Sequence, residues 1–490
     1  MPKQKSLVVN FIYNLVYTGL TLLFPLITSP YVSRVLGATN QGKVNFANTI
    51  VNTFLIFAVF GVTTYGIREV SKVRDYPEKL NRIFSEIFAI NGIASLVTVA
   101  VYFIAIWKVQ KFRSELPLYL VMSLTIILNV FSLDWFYQGI EEYRYITVRS
   151  FIFKLISLIC LFIFVRQRED YVIYGLISVL ATSLSGVLNY FYSRRFVRLT
   201  FKGLKLTRHL KGLIIFMMYS FISNIYLSAD KVILGFLDNE KFVAFIEKSK
   251  SVVNMAVAIS TAVSNVALPR ASYYIENEKD RYEAFVKDVP NYILWFAIPL
   301  AAGTMALSQN IMFILGGNEF LEASTLLTIM AVTIVLIPIN TFYQAQVLVA
   351  SGKEKWGIYI SIVSSCVSLL LNISLIPVWG VLGAGLAYAA SELCGTIIKD
   401  YLTRKKLNYG SVRIVNRSTL TYTVAAAVIG GISVGLNHVL SGGYVLPFLA
   451  SAFIGAAVYV GILTIAREDV TMKIWKKLKM ILRRRTWNEM

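Results

Sequence analysis

Apolar stretches long enough to cross a bilayer recur along this chain from Val8 to Ala466, separated by short polar connections. A hydrocarbon core of about 30 Å takes roughly 20 helical residues at about 1.5 Å each. On that measure the pattern predicts fourteen spans, near 9–33, 44–67, 83–107, 117–139, 145–165, 171–193, 212–237, 242–268, 289–315, 321–350, 356–377, 381–402, 418–437 and 444–466. Only helices and closed barrels satisfy every backbone polar group in lipid, and continuous apolar runs select helices. The expected fold is therefore an all-α polytopic membrane protein.

The basic residues sort by side. With the N-terminus placed in the cytoplasm, 36 Lys and Arg fall in cytoplasmic segments and 8 in outer loops, with Lys154, Lys231, Lys248 and Lys250 inside spans. That split follows the positive-inside rule and predicts both termini in the cytoplasm. A hydrophobic fraction of 56% in 490 residues excludes a soluble multidomain enzyme. The net charge of +21 would suggest nucleic acid in a soluble protein. Its sidedness here points instead to topology and anionic headgroups, with no nucleic-acid partner.

Little in the chain suggests catalysis. Met1 to Lys5 resembles a signal-peptide start, but the apolar stretch that follows is too long and holds Pro25 and Pro30, so it reads as an uncleaved first span. Cys160, Cys366 and Cys394 lie in predicted spans without metal or disulfide spacing and read as packing residues. His209 falls in a basic cytoplasmic loop and His438 at an outer span end, neither with a metal-binding or nucleophilic constellation. A GxxxxGK[ST] phosphate loop is absent from the sequence, which argues against ATP hydrolysis.

Two long basic connections, Arg194 to Lys211 and Lys399 to Arg417, divide the chain after six and twelve spans. A faint duplication supports that division. Gly175-Leu176 to Arg195 recurs as Gly385-Leu386 to Lys405, and Val35-Leu36-Gly37 answers Ile233-Leu234-Gly235. Because six is even, the halves would relate by an axis along the membrane normal. The expected organisation is an N-terminal lobe at 1–200, a C-terminal lobe at 201–410, two further spans at 411–466 and a tail at 467–490. In the tail, Val470, Ile474, Trp475, Leu478, Ile481 and Leu482 recur at helical spacing among lysines and arginines, predicting a helix on the cytoplasmic leaflet.

Ionisable residues inside spans cost free energy unless paired or hydrated, so each is a functional candidate. Arg149, Lys154, Lys231, Lys248 and Lys250, with Arg34 and Arg270 at span ends, make the predicted interior cationic. That sign suits an anionic, water-loving cargo such as a phosphate-linked headgroup. Asp134, Asp230, Glu247 and Glu392 are candidates for ion coupling or charge pairing, and Glu86 for neutralisation by Arg82. Asp230 and Lys231 project about 100° apart on a helix and cannot share a face. Pro25, Pro30, Pro299 and Pro338 fall inside spans and are candidate hinges.

Several stretches resemble the Wzx-type polysaccharide flippases of the MOP exporter superfamily. These are Pro30-Tyr-Val-Ser-Arg-Val-Leu-Gly37 with Gly42, Tyr65-Gly-Ile-Arg-Glu-Val-Ser-Lys72, Asp134-Trp-Phe-Tyr-Gln-Gly-Ile-Glu-Glu-Tyr143 with Ile146 and Arg149, Asp230-Lys-Val-Ile-Leu-Gly235, and Leu268-Pro-Arg-Ala-Ser272. The resemblance implies two six-helix lobes and translocation of an undecaprenyl-diphosphate-linked oligosaccharide across a bacterial cytoplasmic membrane. It carries over positions Arg34, Arg68, Asp134, Glu141, Arg149, Asp230, Lys231 and Arg270. It leaves room for a coupling ion, H⁺ or Na⁺, and for polysaccharide polymerase machinery as a partner, and it implies no bound cofactor. The rival readings are a flippase for another cell-wall lipid precursor such as a teichoic acid unit, a MATE-type cation antiporter, and a membrane enzyme. An antiporter would prefer an acidic cavity. Polymerases and ligases usually present a sizeable outer loop, whereas the longest outer connection here is the short Lys108 to Leu116.

Overall fold

A computed structural model describes residues 7–200, 203–237, 239–405, 414–440 and 443–488. Lys202, Asp238 and much of the 399–417 connection lie outside the described residues. The described residues form nineteen α-helices. In the first half they are α1 Leu7–Val59, α2 Val62–Val73, α3 Pro77–Lys108, α4 Gln110–Ser114, α5 Leu116–Leu128, α6 Asp134–Gly139, α7 Tyr143–Phe164, α8 Tyr171–Val179, α9 Ser185–Ser193 and α10 Thr207–Phe236. In the second half they are α11 Glu240–Asn277, α12 Lys279–Ala306, α13 Ser308–Gly316, α14 Ser324–Met330, α15 Thr333–Phe342, α16 Glu354–Lys405, α17 Arg417–Val439, α18 Val445–Ile465 and α19 Asp469–Asn488.

Among the described residues, ten helices are long and apolar enough to cross a membrane, or eleven if the pair Asn318–Met330 and Thr333–Val349, bent by 43°, is one span. The sequence pattern predicts fourteen. The difference has a physical origin. Ile27–Val73 and Glu354–Lys405 run for 47 and 52 residues, more than twice the roughly 20 that one crossing needs. Glycines with non-helical torsions break both, Gly37 at φ 74° and Gly61 at φ 75° in the first and Gly380 at φ 55° in the second. A side chain at such a φ is strained, so glycine lets two helices meet there without a loop. The span expected at 242–268 lies in α11, where several side chains fall outside the description.

The helices bury polar side chains among apolar ones and turn many large apolar side chains outward. On α3, Glu86, Asn91, Ser95 and Thr98 are buried while Leu96, Val97, Val101 and Ile104 are exposed. An outward apolar face suits lipid, because tails solvate Leu and Ile but cannot satisfy an amide.

Cα packing divides the chain into two compact units, Met1–Ala244 and Phe245–Met490. The seventh predicted span, α10, thus belongs to the first unit rather than to a lobe beginning at 201. Phe236 meets Phe46 of α1 edge to face at 5.5 Å, and Thr53 of α1 donates to Asn224 of α10 at 3.4 Å. The spans expected to stand apart at 411–466 belong to the second unit. There α17 and α18 pack with α12 in one core that includes Ile293, Tyr422, Ile429 and Tyr459. The tail is helical, as its spacing predicts, and α19 docks on this same unit.

The duplication has a packing counterpart. A side chain at Gly175 would meet Leu118 at 3.0 Å, and one at Gly385 would meet Leu326 at 2.6 Å. Within each unit, then, the repeated glycine seats against a leucine of the span two places earlier. The shorter match holds less well. Gly37 makes a turn, whereas Gly235 lies inside α10 against the ring of Phe46.

Candidate functional site

Two clusters organise the charged residues of the first unit. In one, Arg149 of α7 pairs with both carboxylate oxygens of Asp134 at the start of α6, at 2.9 and 3.1 Å. Asn189 of α9 closes the triangle. Its amide donates to Asp134 at 3.0 Å and its side-chain oxygen accepts from Arg149. Tyr137 donates to the Asn189 carbonyl, and the Arg149 guanidinium lies over the Tyr145 ring, itself stacked on Tyr192 at 3.9 Å. A residue proposed for substrate and one proposed for ion coupling are thus partners, joined by an asparagine that the sequence did not single out.

In the second cluster Glu86 is fully buried. It accepts from Arg82 at 3.2 Å, as expected, and also from the Lys205 amide at 2.8 Å and from Arg208 at 2.9 Å. His209 lies 2.8 Å from it on one ring nitrogen and 2.8 Å from the Tyr65 hydroxyl on the other. The loop position expected for His209 is therefore corrected. It sits on the first turns of α10, buried, because the connection before it folds back onto α3. Asn81 and Ser85 accept the amides of Arg198 and Thr200 in that same seam.

The other predicted residues of this unit are more dispersed. Arg34 is exposed and donates to the Pro30 carbonyl at 3.0 Å. Lys154 is half-buried on α7, with its ammonium 6.0 Å from the Phe24 ring centre. Asp230 is buried and accepts the Lys231 amide at 2.8 Å. Arg68 lies over the Tyr65 and Phe216 rings and pairs with Glu69, and Glu141 pairs with Arg74. For Pro25 only the backbone, inside α1, is described, while Pro30 is half-buried in the same helix.

A cavity of about 340 Å³ opens between α1, α5 and the α8–α9 segment of this unit. Its polar wall includes Asn48, Asn52, Thr125, Asn129, Ser132 and Thr182, and among the described residues its lining carries no ionisable group. A 3₁₀ turn at Asn129–Phe131 and a π-helical turn at Leu180–Leu184 interrupt the helices beside it.

In the second unit Lys248 and Lys250 are buried on α11. Lys248 donates to the Leu315 carbonyl at 3.2 Å and lies over Phe320, and Lys250 lies over Tyr388. Glu247 is half-buried beside them. Glu392 accepts from Asn340 at 2.7 Å, and Lys399, also buried, donates to the Asn340 carbonyl at 3.4 Å. Lys399 lies inside α16, although the charge sorting assigned it to the following connection. Pro299 is inside α12 and Pro338 inside α15, just before a second π-helical turn at Tyr343–Val349. Pro290, also inside α12, was not anticipated as a hinge.

Arg270 is exposed and lines a second cavity of about 400 Å³ with Arg281, Asp288 and Lys477 of α19. The tail is held there by Lys473, which donates to Asp288 at 2.9 Å, and by Thr471, which accepts from the Trp295 indole at 3.0 Å. Glu468 precedes the helix and takes bonds from Tyr422 and from the Thr471 amide and hydroxyl. Burial alone would raise its carboxyl, but these bonds hold it below the ordinary carboxylate range. The bond to Asp288 raises Lys473 above its ordinary value. The three cysteines are free thiols, and no acidic, His or Cys cluster able to hold a metal occurs among the described residues.

Buried polar networks and outward apolar faces on helices of spanning length define a multi-pass membrane protein. The chain belongs to the family described as Polysaccharide biosynthesis protein, which matches residues 7–275. It is 23% identical over 407 residues to an Escherichia coli (strain K12) protein whose name assigns it to O-antigen transport, covering 81% of this chain and 97% of that one. It is 24% identical over 277 residues to a Haloferax volcanii protein named as a low-salt glycan biosynthesis flippase, Agl15, covering 55% and 57% respectively. Among solved structures, the lipid II flippase MurJ in an inward closed conformation superposes with a TM-score of 0.73 at 16% identity, covering 94% of this chain and 99% of that one. The family match and these relatives bear out the resemblance to Wzx-type flippases.

Proposed function

We propose that this protein is a bacterial cytoplasmic-membrane flippase. In this reading it turns an undecaprenyl-diphosphate-linked oligosaccharide from the inner to the outer leaflet by alternating access, for cell-surface polysaccharide assembly. The observation that carries the reading is a set of lysines on the helices of a chain of this family, Lys154 and Lys231 in helices apolar enough to cross a membrane and Lys248 and Lys250 buried on α11. A diphosphate sugar cannot cross hydrocarbon unaided, since charged and polar groups lose several kcal/mol each on leaving water. Ammonium groups on a protein-lined path replace part of that hydration. No bond is made or broken in this task, and a lateral opening lets the prenyl tail remain in lipid.

Fourteen crossings with cytoplasmic termini complete the proposal, counting α1 and α16 as two spans each. The basic helix α19 would then lie at the inner headgroups, where lysines and arginines gain from anionic lipid. Energy would come from H⁺ or Na⁺ coupling, the membrane potential or removal of product outside. Polymerase machinery would receive the product.

Deletion of the gene in its host tests the reading. Mass spectrometry of prenyl-linked lipids should show one lipid-linked oligosaccharide building up, relieved by the intact gene. Its glycan would name the cargo and separate this reading from a teichoic acid precursor flippase. No build-up, together with new sensitivity to cationic drugs, would favour a MATE-type antiporter.

A further inference from the structure

The uncharged cavity of the first unit is set apart from the charged clusters by its chemistry. Asn48 and Asn52 stand one turn apart on α1, and Leu55 extends the same face. Thr125 and Asn129 approach from α5 and its 3₁₀ extension, and Ser178, Thr182 and Ser183 from the π-helical turn and the residues before it. Amides and hydroxyls supply both donors and acceptors. Leu55, Met122, Leu128 and Val179 add apolar patches between them.

The backbone gives a second, independent indication. Asn129–Phe131 interrupts the predicted span 117–139, and Leu180–Leu184 interrupts the span 171–193. Non-α-helical backbone at membrane depth is tolerated where it is buried in protein or lines a wet cavity. Both interruptions flank this one cavity. π-helical turns also recur at functional sites, since they persist despite poorer hydrogen bonding. At about 340 Å³ the space falls within the ~300–1,000 Å³ range of small-molecule sites.

We propose that this cavity binds the uncharged sugar rings of the cargo. The inference rests on the flippase reading and narrows it, assigning the glycan to a neutral site and leaving the diphosphate to the lysines. Sugar rings present hydroxyls that both donate and accept, and faces of C–H groups that pack on aliphatic side chains. The mixed lining meets both. An acidic sugar entering it would meet no cation among the lining residues.

The test compares two ligands on the purified full-length protein. One is the lipid-linked oligosaccharide extracted from host cells that lack the gene, and the other is bare undecaprenyl diphosphate. Wild type should bind the glycosylated lipid about tenfold more tightly, the difference made by a few net hydrogen bonds. The double variant Asn52→Leu/Thr182→Val should lose that margin while holding the bare lipid as wild type does, which also reports that it is folded. Thr182→Ser, which keeps the hydroxyl, should retain the margin. A double variant that keeps the full margin overturns the sugar site and leaves the flippase reading standing. Wild type that binds neither lipid overturns both. If the free oligosaccharide released from the lipid by mild acid binds as tightly as the intact lipid, the site serves soluble sugars and the proposal fails.

Discussion

Arg149 and Asp134 grip each other two bonds at a time, at 2.9 and 3.1 Å, across the junction of α6 and α7. Arg149 is buried, so removing either partner strands a charge and costs stability. Breaking a buried pair costs roughly 3–5 kcal/mol, and the partial exposure of Asp134 should bring this pair toward about 3. Arg149→Ala and Asp134→Leu should each lower the unfolding temperature in detergent. The double variant should be more stable than either single one. Additive losses would show that the pair is not a structural unit.

Lys154 is the sharpest test of electrostatic substrate handling. It lies on α7 with its ammonium 6.0 Å from the Phe24 ring centre. Lys154→Ala should leave the protein folded, with an unfolding temperature in detergent near that of wild type, yet fail to relieve lipid build-up in the deleted host. Lys154→Arg should relieve it in part, since charge is kept and geometry is not. Full complementation by Lys154→Ala would remove this residue from the mechanism.

Glu86 fastens the connection between α9 and α10 to α3, through the Lys205 amide, Arg208 and His209. Glu86→Ala leaves those donors without their shared acceptor, a loss of about 2 kcal/mol or more. Trypsin should then cut at Arg194, Arg195, Arg198 or Lys205 faster than in wild type. An unchanged cleavage rate would mean that Asn81 and Ser85 suffice to hold the seam.

The tail should respond to pH in a defined direction. The folded-state value of Glu468 is depressed below the ordinary 4.5, so its contribution is present above pH 4.5 and lost as pH falls through the folded value. Lys473 is raised above 10.5, so its bond to Asp288 contributes fully below that pH and is lost only on strong alkalisation. Docking of α19 should thus persist across neutral pH and weaken in acid. Tryptic release of the tail, measured after brief exposure to buffers from pH 7 to 3, checks this. Glu468→Gln should flatten the acid limb, and a wild-type profile in that variant would contradict the assignment.

Apolar length made the spans legible, and Lys and Arg made the sidedness legible as an expectation. The continuity of the helices through Gly37 and Gly380 was not legible, because one positive-φ glycine joins two helices where the pattern leads one to expect a connecting loop. Long-range pairing was equally hidden. Arg82 beside Glu86 follows from helical spacing, but Arg208 and His209 arrive from more than a hundred residues away. Asn189 carries no charge to draw notice, although it completes the Arg149 cluster. Lys399 was masked by its basic neighbours Arg404 and Lys405, and burial alone distinguishes it. The irregular turn at Leu180-Ala-Thr-Ser-Leu184 contains neither Gly nor Pro, so local chemistry gave no signal for it.

Translocation itself is the most direct test of the central claim. The purified protein would be reconstituted into vesicles carrying the extracted lipid-linked oligosaccharide in both leaflets, with periodate added outside as a membrane-impermeant oxidant of its sugars. Wild type should render nearly all of the glycan accessible, while empty vesicles and Lys154→Ala vesicles release only the outer-leaflet share. Wild-type vesicles that oxidise no more glycan than empty ones, with the membrane potential and H⁺ and Na⁺ gradients each supplied, would contradict the account.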